Sequence, residues 1–353
     1  MHLYTNKLYL EDINLVANCD LPWEKVHNKS ILLSGATGLL GSFLVDVLMQ
    51  KNTEGLNCTV FALSRHQQKM EKRFPKWRNS KELVFLSYDA NKPFSNDDIG
   101  KVDYVLHLAS NTHPMQYSTD PIGTITTNII GLQNMLEFAC VHQATRFAFA
   151  SSNEIYGENR GDVELFDESY CGYIDSNTLR AGYPESKRCG EALCQAYRIQ
   201  KQLDIVIPRF TRSYGPTMLL SDTKAISQFI KKGIEGKDIV LKSAGTQNYS
   251  YTYMADAIFG LLTIILKGEN GEAYNIADEK SNIKLKDLAQ IIADHVKTKV
   301  VFEIPDSVES SGYSKATKAL LNGKKLKELG WTPFYEITDG ISRTFNILKD
   351  ANR

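Results

Sequence analysis

Over the first two thirds of the chain, short apolar runs alternate with segments whose apolar residues recur at helical spacing. Strands are predicted at 31–33, 58–63, 83–88, 104–108, 147–150 and 205–208, and helices at 42–50, 67–77, 124–141 and 183–200. Apolar strands that alternate with helices are typical of a parallel sheet with both faces covered. The pattern therefore predicts an α/β fold built on a doubly wound parallel sheet.

The alternation weakens after Pro208. Helices predicted at 225–235 and 281–297 occur with short β-like pieces at 239–242 and 299–303, which indicates a smaller C-terminal α/β lobe. We expect the chain to re-enter the main domain near 251–266. The predicted organisation is an N-terminal extension at 1–29, a main domain at 30–208, and a substrate-binding lobe formed by 209–250 and 267–353.

The composition excludes several classes of protein. With 353 residues, 42% hydrophobic and 23% charged, the chain is typical of a globular protein and not of a disordered or coiled-coil one. Lys plus Arg and Asp plus Glu both number 41, so no basic excess indicates nucleic acid as a partner. The six cysteines form no C-x-x-C pair and no metal-ligand spacing with His, so we expect reduced thiols and no metal site. No signal peptide and no apolar run of roughly 18 residues is present, which predicts a cytoplasmic protein without membrane contact.

Three glycines follow the first predicted strand. Gly35, Gly38 and Gly41 are spaced Gly-x-x-Gly-x-x-Gly, with Thr37 and Leu39 in the same turn, and a helical segment follows. Glycine lets the backbone approach a pyrophosphate closely, and the helix N-terminus offers free N–H groups to the phosphates. A glycine-rich turn without a ligand is the alternative, but the strand-turn-helix setting favours a dinucleotide. The main domain is therefore predicted to be a Rossmann-type NAD(P)-binding domain.

The end of the second strand bears on the choice of cofactor. An acidic side chain there would bind the ribose 2′-hydroxyl of NAD, but this strand ends in Ser64 and Arg65. A guanidinium pairs well with a 2′-phosphate, so Arg65 favours NADP over NAD. An equally good interpretation is that Arg65 is a solvated loop residue, and the cofactor prediction remains NAD or NADP.

A candidate catalytic group lies further along the chain. Tyr183 and Lys187 are four residues apart, so they share one face of a helix. We expect the Lys187 ammonium to lower the phenol pKa of Tyr183 and so make it a general base for an alcohol. Ser152 follows the fifth strand, at the sheet edge where ligands of parallel sheets bind, and is a second candidate for the same substrate oxygen.

Together these features resemble the extended short-chain dehydrogenase/reductases that modify nucleotide sugars, the NAD-dependent epimerase/dehydratase family. The resemblance covers most of the chain and rests on the glycine turn, Asp89-Ala90, His107-Leu108-Ala109-Ser110, Asn128-x-x-Gly131, the run from Ser152 to Gly157, Tyr183/Lys187, Arg209 and Gly215-Pro216.

The resemblance implies specific roles for these residues. Tightly bound NAD(P) oxidises the sugar at C4, with Tyr183, Lys187 and Ser152 as the catalytic set, and the cofactor later returns the hydride. The implied cofactor contacts add Asp89, Ala90, Leu108, Ala109 and Ser110 to the glycine turn, Ser64 and Arg65. The C4 ketone acidifies C5–H and opens elimination, decarboxylation or epimerisation.

Within the family, the run Ser-x-Glu-x-Tyr-Gly is similar to the UDP-glucuronate decarboxylase and dTDP-glucose 4,6-dehydratase branches. Glu154 matches a carboxylate that these enzymes place near C5. The stretch from Glu168 to Arg188, with Arg180, shows the same similarity. The alternative for Glu154 is a structural role, either capping a helix or pairing with Arg180.

Three positions depart from these branches. Asn153 stands where the dehydratases have an Asp acid, Tyr249 stands where the decarboxylases have an Arg, and Arg212 replaces a usual Asn. We therefore assign Asn153, Arg212 and Tyr249 to substrate binding and expect Arg212 to replace the lost guanidinium. The alternative for Arg212 is an internal ion pair with Glu154 or Asp222.

Three functions follow from these expectations. The leading hypothesis is a nucleotide-sugar lyase that works through a 4-keto intermediate, either a 4,6-dehydratase or a uronate decarboxylase. The alternatives are a nucleotide-sugar 4-epimerase and a non-catalytic NADP-binding protein. The resemblance also implies a homodimer formed through the helices at 124–141 and 183–200.

Overall fold

The computed structural model describes residues 3–89, 91–94, 99–112, 114–219, 221–303, 313 and 316–351. Its strands are β1 (Ser30–Ser34), β2 (Thr59–Ser64), β3 (Leu83–Ser87), β4 (Tyr104–His107), β5 (Arg146–Phe149), β6 (Ser151–Ser152), β7 (Ile205–Phe210), β8 (Arg212–Tyr214), β9 (Ile239–Leu241), β10 (Asn248–Tyr253), β11 (Ala273–Ile276), β12 (Asn282–Lys284), β13 (Val300–Phe302) and β14 (Lys318–Ala319). Its helices are α1 (Lys7–Ala17), α2 (Leu39–Asn52), α3 (Gln67–Arg73), α4 (Pro114–Thr119), α5 (Pro121–Val141), α6 (Gly182–Lys201), α7 (Ala225–Ile234), α8 (Met254–Lys267), α9 (Leu285–Val296), α10 (Lys324–Glu328) and α11 (Ile337–Ala351).

The main sheet is parallel and has the strand order β11-β7-β5-β4-β1-β2-β3, with β6 pairing beside β7. Every residue of β4 and β7 is buried. Such strands are mostly apolar because helices cover both faces of the sheet. The six strands predicted from sequence are all present, and the predicted α/β doubly wound fold is confirmed.

The N-terminal extension contains a helix that the sequence pattern did not predict. In α1, Asp12 accepts hydrogen bonds from Tyr253 of β10 (2.7 Å) and from Tyr335 (2.9 Å). Tyr9 of the same helix donates to the fully buried Asp46 of α2 (2.5 Å). The extension is therefore anchored to both the main domain and the C-terminal lobe by buried polar contacts.

The C-terminal lobe carries a four-stranded sheet, in which β12-β10-β14 are joined by β8 beside β10, and a two-stranded sheet of β9 and β13. The chain returns to the main domain through α8, which packs against α2. The return continues through β11, which pairs with β7 in the register Asn275 to Arg209. It thus reaches Ile276, beyond the predicted limit near 266, because the buried Asn275 interrupts the apolar pattern by which a strand is recognised in sequence. No helix within the described ranges combines the length and apolar character needed to cross a membrane.

Candidate active site

The glycine turn joins β1 to α2 and packs against the end of β4. Gly35 has φ +76°, and a Cβ there would lie 2.8 Å from the Ala109 nitrogen. A Cβ at Gly41 would collide with the Gly35 carbonyl oxygen. Gly38 precedes the first turn of α2 without a side-chain cap, so the amides of that turn face the cleft unobstructed by a side chain. The turn therefore forms a close backbone cradle that fits a dinucleotide pyrophosphate.

A cleft of about 980 Å³ opens at the carboxyl ends of the main strands. The structure brings together the predicted site residues around it, namely Gly35, Thr37, Gly38, Leu39, Gly41, Ser64, Arg65, Asp89, Leu108, Ala109, Ser110, Ser152, Asn153, Glu154, Tyr183, Lys187, Arg212 and Tyr249. The remaining predicted cofactor residue, Ala90, lies outside the described residues. The cleft spans both the glycine turn and the C-terminal lobe, which is the arrangement that a dinucleotide and a second ligand require.

Lys187 is buried in α6, four residues after Tyr183. Its Nζ donates to the Ala150 carbonyl (2.8 Å) and lies 4.7 Å from the Phe149 ring centroid and 5.9 Å from that of Tyr183. Burial lowers the pKa of Lys187 to about 7. Burial also raises the pKa of Tyr183, with the Glu154 charge adding to the effect. In the protein alone, desolvation thus outweighs the lowering of the phenol pKa that we expected from Lys187.

The side chains of Ser152 and Tyr117 interact with the Tyr183 hydroxyl, and both interactions lower its pKa. Ser152 is placed by β6, which pairs with β7 directly after β5. The Tyr117 ring stacks on that of Tyr183 with centroids 4.8 Å apart. Sequence reasoning missed Tyr117, because one aromatic residue in the six-residue helix α4 carries no signal for a partner 66 residues away.

Glu154 forms an ion pair with Arg180, with Oε2 and Nη2 2.6 Å apart. The Arg180 guanidinium also lies over the Tyr117 ring, 4.8 Å from its centroid. The ion pair with Arg180 that the alternative structural role of Glu154 requires is thus present in the structure. Because both members of the pair line the cleft, the pairing leaves Glu154 available to a bound ligand.

Arg212 lies on β8, and its guanidinium carbon is 3.4 Å from the ring centroid of Tyr249 on the adjacent β10. Its Nη1 is buried without a hydrogen-bond partner among the described residues. The two acids proposed as ion-pair partners are engaged elsewhere, since Glu154 pairs with Arg180 and Asp222 with Lys224 (3.5 Å). In the described part of the chain neither acid forms an ion pair with Arg212, so that alternative is wrong.

A chain of hydrogen bonds positions the start of α6. Ser110 donates to Asn128 Oδ1 (2.7 Å), Asn128 Nδ2 donates to Ser186 Oγ (2.9 Å), and Ser186 Oγ donates to the Tyr183 carbonyl (2.8 Å). Asn128 is completely buried. The loop after β4, helix α5 and the turn that carries Tyr183 are therefore held in register.

Comparison with known proteins agrees with this geometry. The model of the NAD dependent epimerase/dehydratase family matches residues 31–277, which is more than half of the chain. The chain belongs to the NAD-dependent epimerase/dehydratase family. The resemblance noted in the sequence is thereby confirmed.

Among relatives of this family member, UDP-glucuronic acid decarboxylase 5 of Arabidopsis thaliana is 31% identical over 320 residues, covering 89% of this chain and 87% of the relative. UDP-glucuronic acid decarboxylase 1 of Xenopus tropicalis is 27% identical over 321 residues, covering 91% and 72%. A UDP-glucuronic acid 4-epimerase of Bacillus cereus, solved with a UDP-sugar analogue and NAD, has a TM-score of 0.78 at 21% identity over 91% of this chain and 99% of its own. The dTDP-glucose 4,6-dehydratase of Streptomyces venezuelae gives 0.79 at 22% identity over 91% and 97%. The solved structures share the fold of this family member.

Proposed function

We propose that this chain is a nucleotide-sugar lyase that removes carbon dioxide from a UDP-linked uronic acid. The observation that carries the proposal is the convergence of Tyr183, Ser152 and the Glu154–Arg180 pair on one cleft beside the glycine turn. The similarity to curated UDP-glucuronic acid decarboxylases along most of both chains supports the same choice.

The cofactor site fits a nicotinamide dinucleotide. The glycine cradle, Ser110 and the buried Lys187 would hold it, with the pyrophosphate over the turn. When bound, the dinucleotide accepts a hydride from C4 of the sugar and returns it at the end of the cycle, so the overall reaction is redox-neutral. The protein groups supply binding, orientation and proton transfer.

Tyr183 is the base that takes the proton of the C4 hydroxyl. Ser152 lines the cleft beside Tyr183 and lowers its pKa, which supports a role for both in holding the same substrate oxygen. A Lys187 ammonium adjacent to the bound substrate stabilises negative charge on the phenol oxygen and favours proton removal. These three side chains would hold and deprotonate the C4 hydroxyl, and the ketone would form because a bound dinucleotide would take the C4 hydride.

Decarboxylation then needs no further acid at C6. The C6 carboxylate is bonded to C5, next to the C4 ketone, so the sugar is then a β-keto acid. The C5–C6 bond breaks with release of carbon dioxide, and the electron pair of that bond moves toward the ketone oxygen. Glu154, which lines the cleft, would pass C5 the proton that replaces the departing carboxyl group. Loss of water from C6 would require an acid for the leaving oxygen, and Asn153, an amide, has no acidic proton to give. This difference favours decarboxylation over 4,6-dehydration.

A panel assay tests the proposal. Purified protein supplied with NAD or NADP is incubated with UDP-, dTDP-, CDP- and GDP-linked sugars, including UDP-glucuronate, and products are followed by mass. We expect loss of carbon dioxide from UDP-glucuronate. Loss of water from a neutral hexose would identify a dehydratase, and a product of unchanged mass with inverted C4 would identify a 4-epimerase; either result overturns the proposed reaction.

We further propose a preference for NADP. Arg65 is exposed at the end of β2 and lines the cleft together with His66 and Lys69, and the strand end bears no acid. A basic cluster at this place favours a 2′-phosphate over a 2′-hydroxyl.

We also propose a homodimer through α5 and α6. Ile122 and Val141 on α5 and Ile199 on α6 are 75%, 74% and 67% exposed, which is unusual for large apolar side chains. Tyr197, by contrast, is buried in its own subunit beside Glu137. Ile122→Glu combined with Ile199→Glu should give a monomer in sedimentation analysis, and an unchanged mass would contradict this interface.

A further inference from the structure

Arg212 and Tyr249 form a pair that faces the cleft from two neighbouring strands of the lobe. Strand β8 lies parallel to β10, and the Arg212 guanidinium stacks on the Tyr249 ring at 3.4 Å from its centroid. The Tyr249 hydroxyl donates to the Ala316 carbonyl (2.8 Å), which holds the ring in place. A guanidinium is planar, and contact with a ring restricts its rotation. The pair therefore presents a fork of fixed orientation.

Among the described residues, no acid is paired with this fork. Nη1 of Arg212 is buried and has no hydrogen-bond partner in the described part of the structure. The nearby carboxylates of Glu154 and Asp222 are held by Arg180 and Lys224. A buried cationic nitrogen without a partner is unfavourable, and an anionic ligand that accepts its hydrogen bonds removes that cost.

The position of Arg212 distinguishes the two anionic parts of a nucleotide sugar. Arg212, Asn153, Glu154 and Arg180 line both the main cleft and a smaller cavity of about 180 Å³ behind it. Arg212 thus borders the catalytic end of the cleft. Lys224 and Lys232 line the main cleft beside helix α7 and offer cations for a diphosphate.

The charges at the catalytic end agree with an acidic sugar. Glu154 and Arg180 neutralise each other, so Arg212 leaves an excess positive charge there. We propose that Arg212, held against Tyr249, binds the carboxylate of a nucleotide-linked uronic acid and makes the site select acidic over neutral sugars. This inference rests on the proposed function, because that function places the sugar at this end of the cleft.

The test compares three ligands on the full chain loaded with NAD or NADP. A Tyr183→Phe background slows turnover, and calorimetry gives the Kd of UDP-glucuronate, UDP-glucose and UDP. The two sugars differ at C6 alone, carboxylate against hydroxymethyl. We expect UDP-glucuronate to bind at least roughly tenfold more tightly than UDP-glucose, as a charge-assisted contact implies. Arg212→Asn should bring this ratio close to one without changing the affinity for UDP.

Two changes at Tyr249 provide a second arm of the binding test. Tyr249→Leu removes the stacking ring and should lower the ratio while leaving Arg212 in place. Adding Tyr249→Arg to Arg212→Asn places a guanidinium on the neighbouring strand and should recover part of the ratio. Arg160→Ala is the matched control, since Arg160 also stacks on a tyrosine (Tyr170, 5.1 Å) but does not line the cleft.

Two results would overturn the inference. An equal loss of affinity for all three ligands in Arg212→Asn would place Arg212 on the diphosphate. A ratio that stays unchanged in both Arg212→Asn and Tyr249→Leu would exclude contact with the carboxylate. Circular dichroism checks folding, and if Arg212→Asn does not fold, the ratio in Tyr249→Leu decides alone.

Release of carbon dioxide by the wild-type protein is measured separately. If no carbon dioxide is released but the affinity ratio falls in the variants as expected, the proposed reaction is wrong. If carbon dioxide is released but the variants leave the ratio unchanged, this inference is wrong.

Discussion

The Tyr117 ring stacks on the Tyr183 ring, with centroids 4.8 Å apart and planes inclined by 25°. The Tyr117 side chain also interacts with the Tyr183 hydroxyl and lowers the Tyr183 pKa. Tyr117 in turn lies under the Arg180 guanidinium, which pairs with Glu154. The proposed C4 base and the proposed C5 group are therefore linked through one aromatic ring.

Tyr117→Phe keeps the stack and removes the hydroxyl. We expect kcat at neutral pH to fall by roughly three- to tenfold, the size of one hydrogen bond. Because the lost contact lowers the Tyr183 pKa, the kcat–pH profile should also move toward higher pH. Steady-state kinetics across pH check both effects. A fall in kcat without movement of the profile would show that Tyr117 supports the structure but does not tune the base.

Tyr183→Phe removes the proposed base and keeps the ring. We expect turnover to fall by at least roughly a hundredfold, with an unchanged melting temperature, because general-base contributions are commonly of that size. Tyr170→Phe serves as a control, since the Tyr170 hydroxyl bonds to Asp162 away from the cleft. Near-normal turnover in the Tyr183 variant would exclude the proposed mechanism.

Arg65→Ala addresses the cofactor. The variant should bind NADP about tenfold more weakly while its affinity for NAD stays within about twofold, because the 2′-phosphate alone loses a charge-assisted partner. Fluorescence titration of both dinucleotides measures this. Arg78→Ala is the control, because Arg78 pairs with Glu71 at 3.9 Å and does not line the cleft. Protein that carries NAD alone after purification from cells would contradict the NADP preference.

The sequence pattern predicts the main sheet well, because β1 and β4 each contain three consecutive apolar residues whose local pattern reflects burial on both faces. The glycine turn is equally local. The misses depend on long-range contacts. Helix α1 contains the buried Asp12, and its Tyr9 donates a hydrogen bond to the buried Asp46 of α2. The sequence pattern alone predicts that such acids are solvent-exposed.

The same reason explains the partial success at the active site. The positions of Tyr183, Lys187 and Ser152 follow from spacing and strand ends, whereas their pKa values depend on how deeply the fold buries them. The stack of Arg212 on Tyr249 joins strands β8 and β10, and no local pattern reveals that these strands are neighbours. Pairing of short strands is a tertiary property.

His107 at the end of β4 makes stability depend on pH. It is buried, its Nδ1 is 2.9 Å from Ser34 Oγ, and burial together with the Lys187 charge lowers its pKa to about 3 from the ordinary 6.5. Between these values the unfolded chain binds a proton that the folded protein does not. His107 therefore lowers the free energy of unfolding as pH falls, by about 1.4 kcal/mol per pH unit below 6.5.

A comparison of variants isolates this contribution. Burial raises the pKa of Asp256 to about 7, so between about pH 4 and 7 the folded protein binds the extra proton, and stability rises as pH falls. The two slopes oppose each other, and the wild-type curve alone does not separate them. We expect His107→Asn to become more stable relative to the wild type as pH falls, by about 1.4 kcal/mol of unfolding free energy per pH unit. Urea unfolding from pH 7 to pH 5 measures this difference. The exposed His295 provides the control, since His295→Asn should run parallel to the wild type. Parallel curves for His107→Asn as well would mean that His107 is protonated in the folded protein.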